Sequence, residues 1–285
     1  MRVARGGTGG SAAVRALASQ IHPVFMLPPI AASWFGGVLV GEFSLVVGAL
    51  HATAIFAAVY TAHVKDGYVD FYVRGEDDDH PMTEHGCRLA LGGATVLFFA
   101  SLLGLLLLVD WVAAALTLPC WLIAYHHAPQ LDMNPVTATL GYPTGIALAI
   151  LGGYYAQATT LSPIAGAFAL VFLVLLAGVK IIDDEQDYEY DRSINKRTVA
   201  VVLGRERARS SATALFLCGL VLVVGFAAVH VFPPGSILAA FAFGVVAAVA
   251  YRADSTLATM LLIRGSYVFL ALLLIAVWFR PLSWL

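Results

Sequence analysis

The sequence predicts an all-α membrane protein with nine transmembrane helices and a cytoplasmic N-terminus. The prediction depends on the composition, on the spacing of the charged residues and on where the positive charges fall. Of the 285 residues, 60% are hydrophobic and 12% are charged. Soluble domains carry about 25% charged residues. The composition therefore excludes an ordinary soluble domain, and nothing in it indicates a nucleic-acid partner.

Long uncharged intervals give the number of spans. They cover residues 16–41, 43–64, 89–109, 111–131, 133–179, 210–251 and, interrupted by Arg264, 255–279. A spanning helix needs about 20 apolar residues, so the two longest intervals hold two helices each and the total is nine. Gly152–Gly153 together with residues 159–163 predicts a turn within the first long interval, and residues 233–235 predict one within the second. We expect residues 1–18 to form a cytoplasmic tail and residues 19–285 a single transmembrane domain.

Positive residues give the orientation, because cytoplasmic loops of membrane proteins carry an excess of Lys and Arg. With the N-terminus inside, 14 of the 16 Lys and Arg residues fall in cytoplasmic segments. These are Arg2, Arg5, Arg15, Lys65, Arg74, Arg88, Lys180, Arg192, Lys196, Arg197, Arg205, Arg207, Arg209 and Arg252. The sequence therefore predicts a multi-pass protein of the cell membrane with a cytoplasmic N-terminus.

Two acidic segments emerge on this predicted cytoplasmic face. KDGYVDFYVRGEDDDHP (65–81) follows the second span, and VKIIDDEQDYEYDRSINKRT (179–198) follows the sixth. The first contains Asp66 and Asp70, and the second contains Asp183, Asp187 and Asp191, all at four-residue spacing. On a helix that continues out of the membrane, residues four apart share one face. We expect the two arrays to meet over a shared cavity.

Like charges at this spacing destabilise a helix, which raises the question of what compensates them. Carboxylates in such arrays suit Mg²⁺, which proteins usually hold with one or two carboxylates plus substrate phosphates. Basic residues interleave with the acids, as a diphosphate ligand requires. The competing interpretation is a solvated surface, and it fits GEDDDHP (75–81) best. The sequence thus predicts Mg²⁺ and a diphosphate at the two arrays.

Several motifs resemble the UbiA superfamily of intramembrane prenyltransferases. DYEYDRSINKRTVAVVLG (187–204) is similar to the family pattern D-x-x-x-D-R-x-x-G-K-x-T-x-A-V-x-L-G, with Asn195 at the Gly position. Asn tolerates the left-handed backbone that Gly supplies there. The first motif matches N-D-x-x-D-x-x-x-D only in part, since Gly67 and Arg74 stand at two Asp positions. YHHAPQL (125–131) and LGGYYAQ (151–157) resemble further family segments, the latter from the menaquinone-type branch that prenylates 1,4-dihydroxy-2-naphthoate.

The resemblance implies a helical bundle around a central, lipid-accessible cavity and an active site at the cytoplasmic face. It implies Mg²⁺-dependent transfer of a polyprenyl group from a polyprenyl diphosphate to a lipophilic acceptor within the bilayer. The implied catalytic residues are Asp66, Asp70, Asp183, Asp187 and Tyr125, the last as a wall of the cavity. Asp191 joins the four Asp residues as a metal ligand or instead orients Lys196. The implied diphosphate-binding residues are Arg74, Lys180, Lys196 and Arg197.

Alternatives remain for the acceptor and for the function itself. The acceptor is an aromatic quinone precursor, an ether lipid or a carotenoid. Gly67 and Arg74 motivate a second hypothesis, a catalytically degenerate protein that binds prenyl lipids without turnover. A cation-dependent transporter is a third hypothesis, which would require carboxylates near the middle of the spans. The spans contain none, which disfavours it.

Overall fold

A computed structural model describes residues 2–282, which fold almost entirely into helices. Within this range the only extended pairing is an isolated antiparallel bridge between Ala4 and Met82. The all-α class is therefore confirmed for the described residues. The helices are α1 (Gly10–Ala18), α2 (Pro23–Val38), α3 (Leu45–Tyr68), α4 (Glu84–Leu108), α5 (Trp111–Tyr125), α6 (Pro135–Ala158), α7 (Pro163–Gln186), α8 (Tyr188–Ser193), α9 (Val199–Leu203), α10 (Arg205–Ala228), α11 (Ser236–Arg252) and α12 (Ser255–Phe279).

Helices occur at all nine positions where the sequence predicts spans. Six of them are long and apolar enough to cross a membrane, and α1 with α2, bent by 69°, makes a seventh if the pair counts as one span. α5 and α11 are apolar but shorter, with 15 and 17 residues. Asp110 fixes the start of α5 by accepting hydrogen bonds from the amides of Val112 and Ala113. Six to seven candidate spans are thus established, and nine remains a prediction.

The chain divides into two compact units, and the division falls within α6. The first unit contains the chain up to Leu131 together with Leu148–Thr160, and in it α3 packs against α2, α4 and α5. The second contains Asp132–Ala147 and the chain from Leu161 onward, and in it α7 packs against α10 and α12. The first acidic array belongs to the first unit and the second array to the second unit.

The predicted turn at Gly152–Gly153 is wrong, because both residues lie inside α6. The chain turns later, at residues 159–162, as the second half of that prediction expected. The two glycines serve close packing instead. A Cβ atom on Gly153 would overlap the backbone carbonyl of Ser33, and one on Gly36 would overlap the carbonyl of Ile150. Glycine therefore lets the backbones of α2 and α6 approach each other within the first unit.

We expect Gly153→Ala to destabilise the protein by about 1–3 kcal/mol, because the added methyl group must push the backbone of α2 away. Gly92→Ala provides the matched control. Gly92 also lies inside a long helix, but an added Cβ would meet nothing within 4 Å. There Ala should be neutral or stabilising by up to about 1 kcal/mol, since glycine is the poorer helix former. Thermal unfolding in detergent compares the two, and equal midpoints would contradict the close-packing interpretation.

α7 is the most deeply buried of the candidate spans, since 67% of the residues in its most apolar 18-residue stretch are buried. Aromatic side chains surround it in the second unit. Phe168 stacks on Phe232 with ring centroids 3.9 Å apart, and Phe172 meets the edge of Phe269 at 5.4 Å. Such pairs stabilise beyond the area they bury. This packing fixes α7 and so fixes the position of the second acidic array at its C-terminal end.

The N-terminal residues are ordered and pack on the first unit. The amide of Arg5 donates to the carbonyl of Pro81 at 3.0 Å, and the Tyr60 hydroxyl donates to the carbonyl of Leu17 at 2.9 Å. The segment 76–79 that Arg5 adjoins is exposed, which confirms the solvated-surface interpretation of those acids. The expected cytoplasmic tail therefore has a defined structure, formed in part by α1.

Candidate functional site

The first acidic array lies at the C-terminal end of α3. After Tyr68 the chain continues as a π-helical segment, Val69–Arg74, which ends at Gly75 in the left-handed conformation (φ 65°). Asp66 therefore belongs to the last turn of α3, and Asp70 belongs to the π-helical segment. The amide of Glu76 donates to the carbonyl of Asp70 at 2.8 Å and closes this end. The helix continues past the apolar stretch, as the sequence analysis expected.

The two carboxylates of this array have different surroundings. Asp70 forms an ion pair with Arg74 at 3.2 Å, and the two side chains are 20% and 11% exposed. Asp66 is half-buried, and among residues 2–282 its carboxylate forms no hydrogen bond or ion pair. Asp66 is therefore the carboxylate of the first array whose oxygens are available to an external cation.

Gly67 lies against a buried loop residue. A Cβ atom at position 67 would lie 3.0 Å from Nε2 of His80 and 3.5 Å from Oε1 of Gln20. His80 and Gln20 are 3% and 6% exposed. The absence of a side chain at position 67 thus lets the loop and the N-terminal segment pack directly on α3. A carboxylate at this position would have to displace His80.

Tyr125 is already engaged by two neighbours. The ammonium nitrogen of Lys65 lies 4.9 Å from the centre of its ring, and Trp121 stacks on it at 5.0 Å with an interplanar angle of 24°. Lys65, next to Asp66, is absent from the residues that sequence reasoning selected. Only its position beside an acidic residue could have indicated it.

The expectation of one continuous helix through the second acidic array is wrong. α7 ends at Gln186, Asp187 leaves the helical conformation (φ −94°, ψ 14°), and α8 begins at Tyr188. Asp183 and Asp191 consequently differ in exposure, at 30% and 1% of their side chains. Asp183, Asp187 and Asp191 therefore do not line a single uninterrupted helix face.

Lys180 compensates two of the acids. Its ammonium lies 2.8 Å from a carboxylate oxygen of Asp183 and 2.6 Å from one of Asp184. Asp184 is 3% exposed and was not selected from the sequence, although its spacing from Lys180 is the common i,i+4 spacing. Lys180 thus anchors the start of the array by holding two negative charges in a partly buried position.

Asp191 and Lys196 form a second ion pair at 3.2 Å. Burial raises the pKa of the Asp191 carboxyl, and the Lys196 ammonium opposes that rise. The amide of Lys196 also donates to the Asp191 carbonyl at 2.8 Å. This contact is compatible with both interpretations of Asp191, as a metal ligand and as the residue that orients Lys196. Arg197, by contrast, is exposed and makes no ion pair with any carboxylate in the described range.

A third ion pair, missed by sequence reasoning, holds the helices around the array. Nε of Arg209 donates to both carboxylate oxygens of Glu185, at 2.8 and 3.1 Å. Nη1 of Arg209 donates to the carbonyls of Tyr251 and Ala253 at 3.2 and 3.0 Å. Arg209 therefore ties the end of α7 to the connection between α11 and α12. The partners are 24 residues apart on different helices, so no local pattern indicates the pair.

Asn195 has the left-handed backbone expected of the Gly that it replaces, with φ at 59°. Gly204, at the other end of the motif, also has positive φ, at 83°. Asn is among the few residues with a side chain that adopt this conformation readily. The substitution in the second motif is therefore structurally conservative.

We expect Asn195→Ala to destabilise the protein by about 1–2 kcal/mol, because Ala in a left-handed conformation brings its Cβ too close to the following carbonyl. Asn195→Gly should keep the stability of the parent within about 0.5 kcal/mol. Both variants lose the amide group, so the difference between their stabilities measures the cost of the left-handed backbone conformation. Urea or thermal unfolding of both would show it, and equal losses would mean that the side chain matters instead.

The predicted site residues thus fall into two groups, one in each unit. Asp66, Asp70, Arg74 and Tyr125 belong to the first, and Lys180, Asp183, Asp187, Asp191, Lys196 and Arg197 to the second. Within the described part of the chain, no three His, Cys, Asp or Glu side chains converge as a complete metal site. Four basic residues form ion pairs with these acids and so reduce the repulsion between the carboxylates: Arg74, Lys180, Lys196 and Arg209.

Comparison with known proteins identifies relatives by sequence and by fold. The sequence model of the UbiA prenyltransferase family matches residues 85–273. This range includes the whole second motif and excludes the first. No curated protein matches the chain by sequence.

Solved structures with this fold share little sequence with the chain. A digeranylgeranylglyceryl phosphate synthase has a TM-score of 0.73 at 13% identity, over 94% of this chain and 98% of that one. A UbiA homolog from Aeropyrum pernix K1 has a TM-score of 0.70 at 15% identity, over 88% and 98%. A UbiA homolog from Archaeoglobus fulgidus, bound to GPP and Mg²⁺, has a TM-score of 0.63 at 18% identity, over 93% and 99%.

Proposed function

The chain belongs to the UbiA prenyltransferase family, and on that premise we propose that it transfers a polyprenyl group from a polyprenyl diphosphate to a lipophilic acceptor. The observation that carries the proposal is the second motif, which lies within the region that matches the family. Within that region Lys180 pairs with Asp183 at the end of the buried helix α7, and Lys196 pairs with Asp191 just beyond it. Carboxylates and ammonium groups at one helix end suit a metal-bound diphosphate.

We propose that Asp66, Asp70, Asp183 and Asp187 bind Mg²⁺ together with the diphosphate, and that Asp191 is a further ligand or orients Lys196. Their oxygen donors fit this ion, which proteins usually hold with one or two carboxylates and the phosphates of a substrate. The ion would supply positive charge that stabilises the diphosphate as it leaves. The Archaeoglobus fulgidus homolog, solved with GPP and Mg²⁺, supports this assignment.

The chain's own residues have three tasks in this proposal. Arg74, Lys180, Lys196 and Arg197 bind the diphosphate and neutralise the charge left when the allylic carbon–oxygen bond breaks. The acceptor then forms its bond to that carbon and releases a proton. Apolar helices such as α7 exclude bulk water, which would otherwise capture the allylic centre. Tyr125 contributes an aromatic face beside the first motif.

The proposal includes the topology and the acceptor. Fourteen of sixteen Lys and Arg residues on one predicted side support a cytoplasmic N-terminus in the cell membrane, with the motifs on that face. We propose nine membrane spans, of which α5 and α11 are the two short ones. Three acceptor classes compete: an aromatic quinone precursor of the menaquinone type, an ether lipid and a carotenoid.

The test uses membranes that contain the protein, labelled geranylgeranyl diphosphate, Mg²⁺ and lipid extracts supplying each acceptor class. We expect label to enter a new lipid, whose mass identifies the acceptor, and we expect EDTA and Asp187→Asn each to abolish transfer. Diphosphate binding without transfer to any acceptor would instead support the degenerate lipid-binding protein. Lack of both binding and transfer would overturn the proposal.

A further inference from the structure

The basic residues predicted to bind a diphosphate are mostly paired with the protein's own acids. Arg74 lies 3.2 Å from Asp70, Lys180 lies within 2.8 Å of two carboxylates, and Lys196 lies 3.2 Å from Asp191. A cation in such a pair must share its hydrogen bonds between the carboxylate and any phosphate that arrives. A cation without such a partner can give all of its hydrogen bonds to an incoming polyanion.

Lys65 is a cation of this kind, and it lies at the first motif. It is in the last turn of α3 and half-buried, and among residues 2–282 its ammonium group forms no ion pair or hydrogen bond. The ammonium nitrogen instead lies 4.9 Å from the centre of the Tyr125 ring. An aromatic face attracts an ammonium group more weakly than a phosphate oxygen does, because the phosphate carries a full charge.

The carboxylate of Asp66, the next residue along the chain, likewise forms no hydrogen bond or ion pair within the described range. A free carboxylate and a free ammonium thus adjoin at one helix end without neutralising each other. A ligand that carries both charges would satisfy both groups: a metal cation for Asp66, and phosphate oxygens for Lys65. Lys supplies three donors on a flexible stem, so its ammonium can leave Tyr125 and follow such a ligand.

We propose that Lys65 binds the diphosphate of the prenyl donor and that Tyr125 holds its ammonium group while the site is empty. This proposal rests on the proposed function and adds a residue to its binding site. It also assigns Tyr125 a second role, since its ring face becomes available to the substrate when Lys65 moves to the phosphates. Trp121, stacked on Tyr125, keeps the ring in place during that exchange.

The experiment measures binding of labelled geranylgeranyl diphosphate with Mg²⁺, and separately transfer kinetics, for purified protein in nanodiscs. Lys65→Met keeps most of the side-chain stem over Tyr125 but removes the charge, and Lys65→Arg keeps the charge. We expect Lys65→Met to weaken diphosphate binding and raise KM by about ten-fold or more, which is what one charge-assisted hydrogen bond contributes. Lys65→Arg should stay within about three-fold of the parent.

Two controls separate charge from packing. Arg88→Met removes an exposed cation that pairs with Glu84 on α4, and it should leave binding unchanged. Binding of geranylgeraniol, which lacks the phosphates, should be equal in the parent and in Lys65→Met. An unchanged dissociation constant for the diphosphate in Lys65→Met, or an equal loss for the alcohol, would overturn the Lys65 assignment. A parent protein that binds the diphosphate through Lys65 but transfers nothing would overturn the proposed function alone.

Discussion

Replacing Asp66 with Asn should lower the rate of prenyl transfer by at least about 100-fold and leave the thermal stability unchanged. On our proposal Asp66 is a metal ligand that stabilises the departing diphosphate, so its loss raises the barrier by several kcal/mol, and each 1.4 kcal/mol is about ten-fold in rate. Stability should not change, because the Asp66 carboxylate has no partner among the described residues that the substitution could break. Transfer rates and unfolding midpoints of the same preparation test both parts.

Asp78→Asn is the matched control for this prediction. Asp78 is an exposed acid of the loop that follows the first motif, so the substitution makes the same change of charge away from the proposed ligands. Its transfer rate should stay within about two-fold of the parent. A normal rate in Asp66→Asn would remove Asp66 from the site. A large fall in its unfolding midpoint would show that Asp66 has a structural role that the geometry does not reveal.

Replacing Arg209 with Met should cost about 3–5 kcal/mol of stability, the largest structural effect we expect from a single substitution. The change leaves Glu185, whose side chain is 7% exposed, as an unpaired buried charge. It also removes the hydrogen bonds to the carbonyls of Tyr251 and Ala253. Unfolding of the purified protein in mixed detergent micelles would measure the loss.

Arg205→Met is the control for this second prediction, because its ion pair with Glu189 is exposed on both sides. With side chains 46% and 77% exposed, that pair should contribute less than about 1 kcal/mol. The double variant Arg209→Met with Glu185→Gln should recover part of the stability, since no buried charge is then left without a partner. Equal losses in Arg205→Met and Arg209→Met would contradict the importance of burial.

Together these predictions divide the acidic residues into two kinds. Three acids are buried and paired with cations: Asp184 with Lys180, Glu185 with Arg209, and Asp191 with Lys196. Replacing one of these acids should mainly lower the stability of the fold. The Asp66 carboxylate has no such partner, so its replacement should lower the rate of prenyl transfer rather than the stability. The repulsion that the sequence implies is therefore relieved partly by the protein itself. On our proposal the remainder is relieved by Mg²⁺ and the basic side chains that bind the diphosphate.

The sequence alone identified the all-α class, the positions of the helices and a motif that lies within the region matching the family. Hydropathy is a property of a continuous stretch, so the location of an apolar helix follows from a window of about 20 residues without knowledge of its neighbours. The left-handed backbone at Asn195 was also readable, because it depends on one residue and a local motif. These inferences needed no long-range information.

Only the tertiary structure decided which charges pair and where helices touch. The partner of Glu185 is Arg209 on another helix, and the reason for Gly153 is the carbonyl of Ser33, far away in sequence. The break at Asp187 and the contact of Lys65 with Tyr125 likewise depend on how neighbouring segments pack. The composition of a segment determines whether it is apolar enough to be buried. Contacts between segments depend instead on the shape and charge of surfaces that meet only in the folded protein.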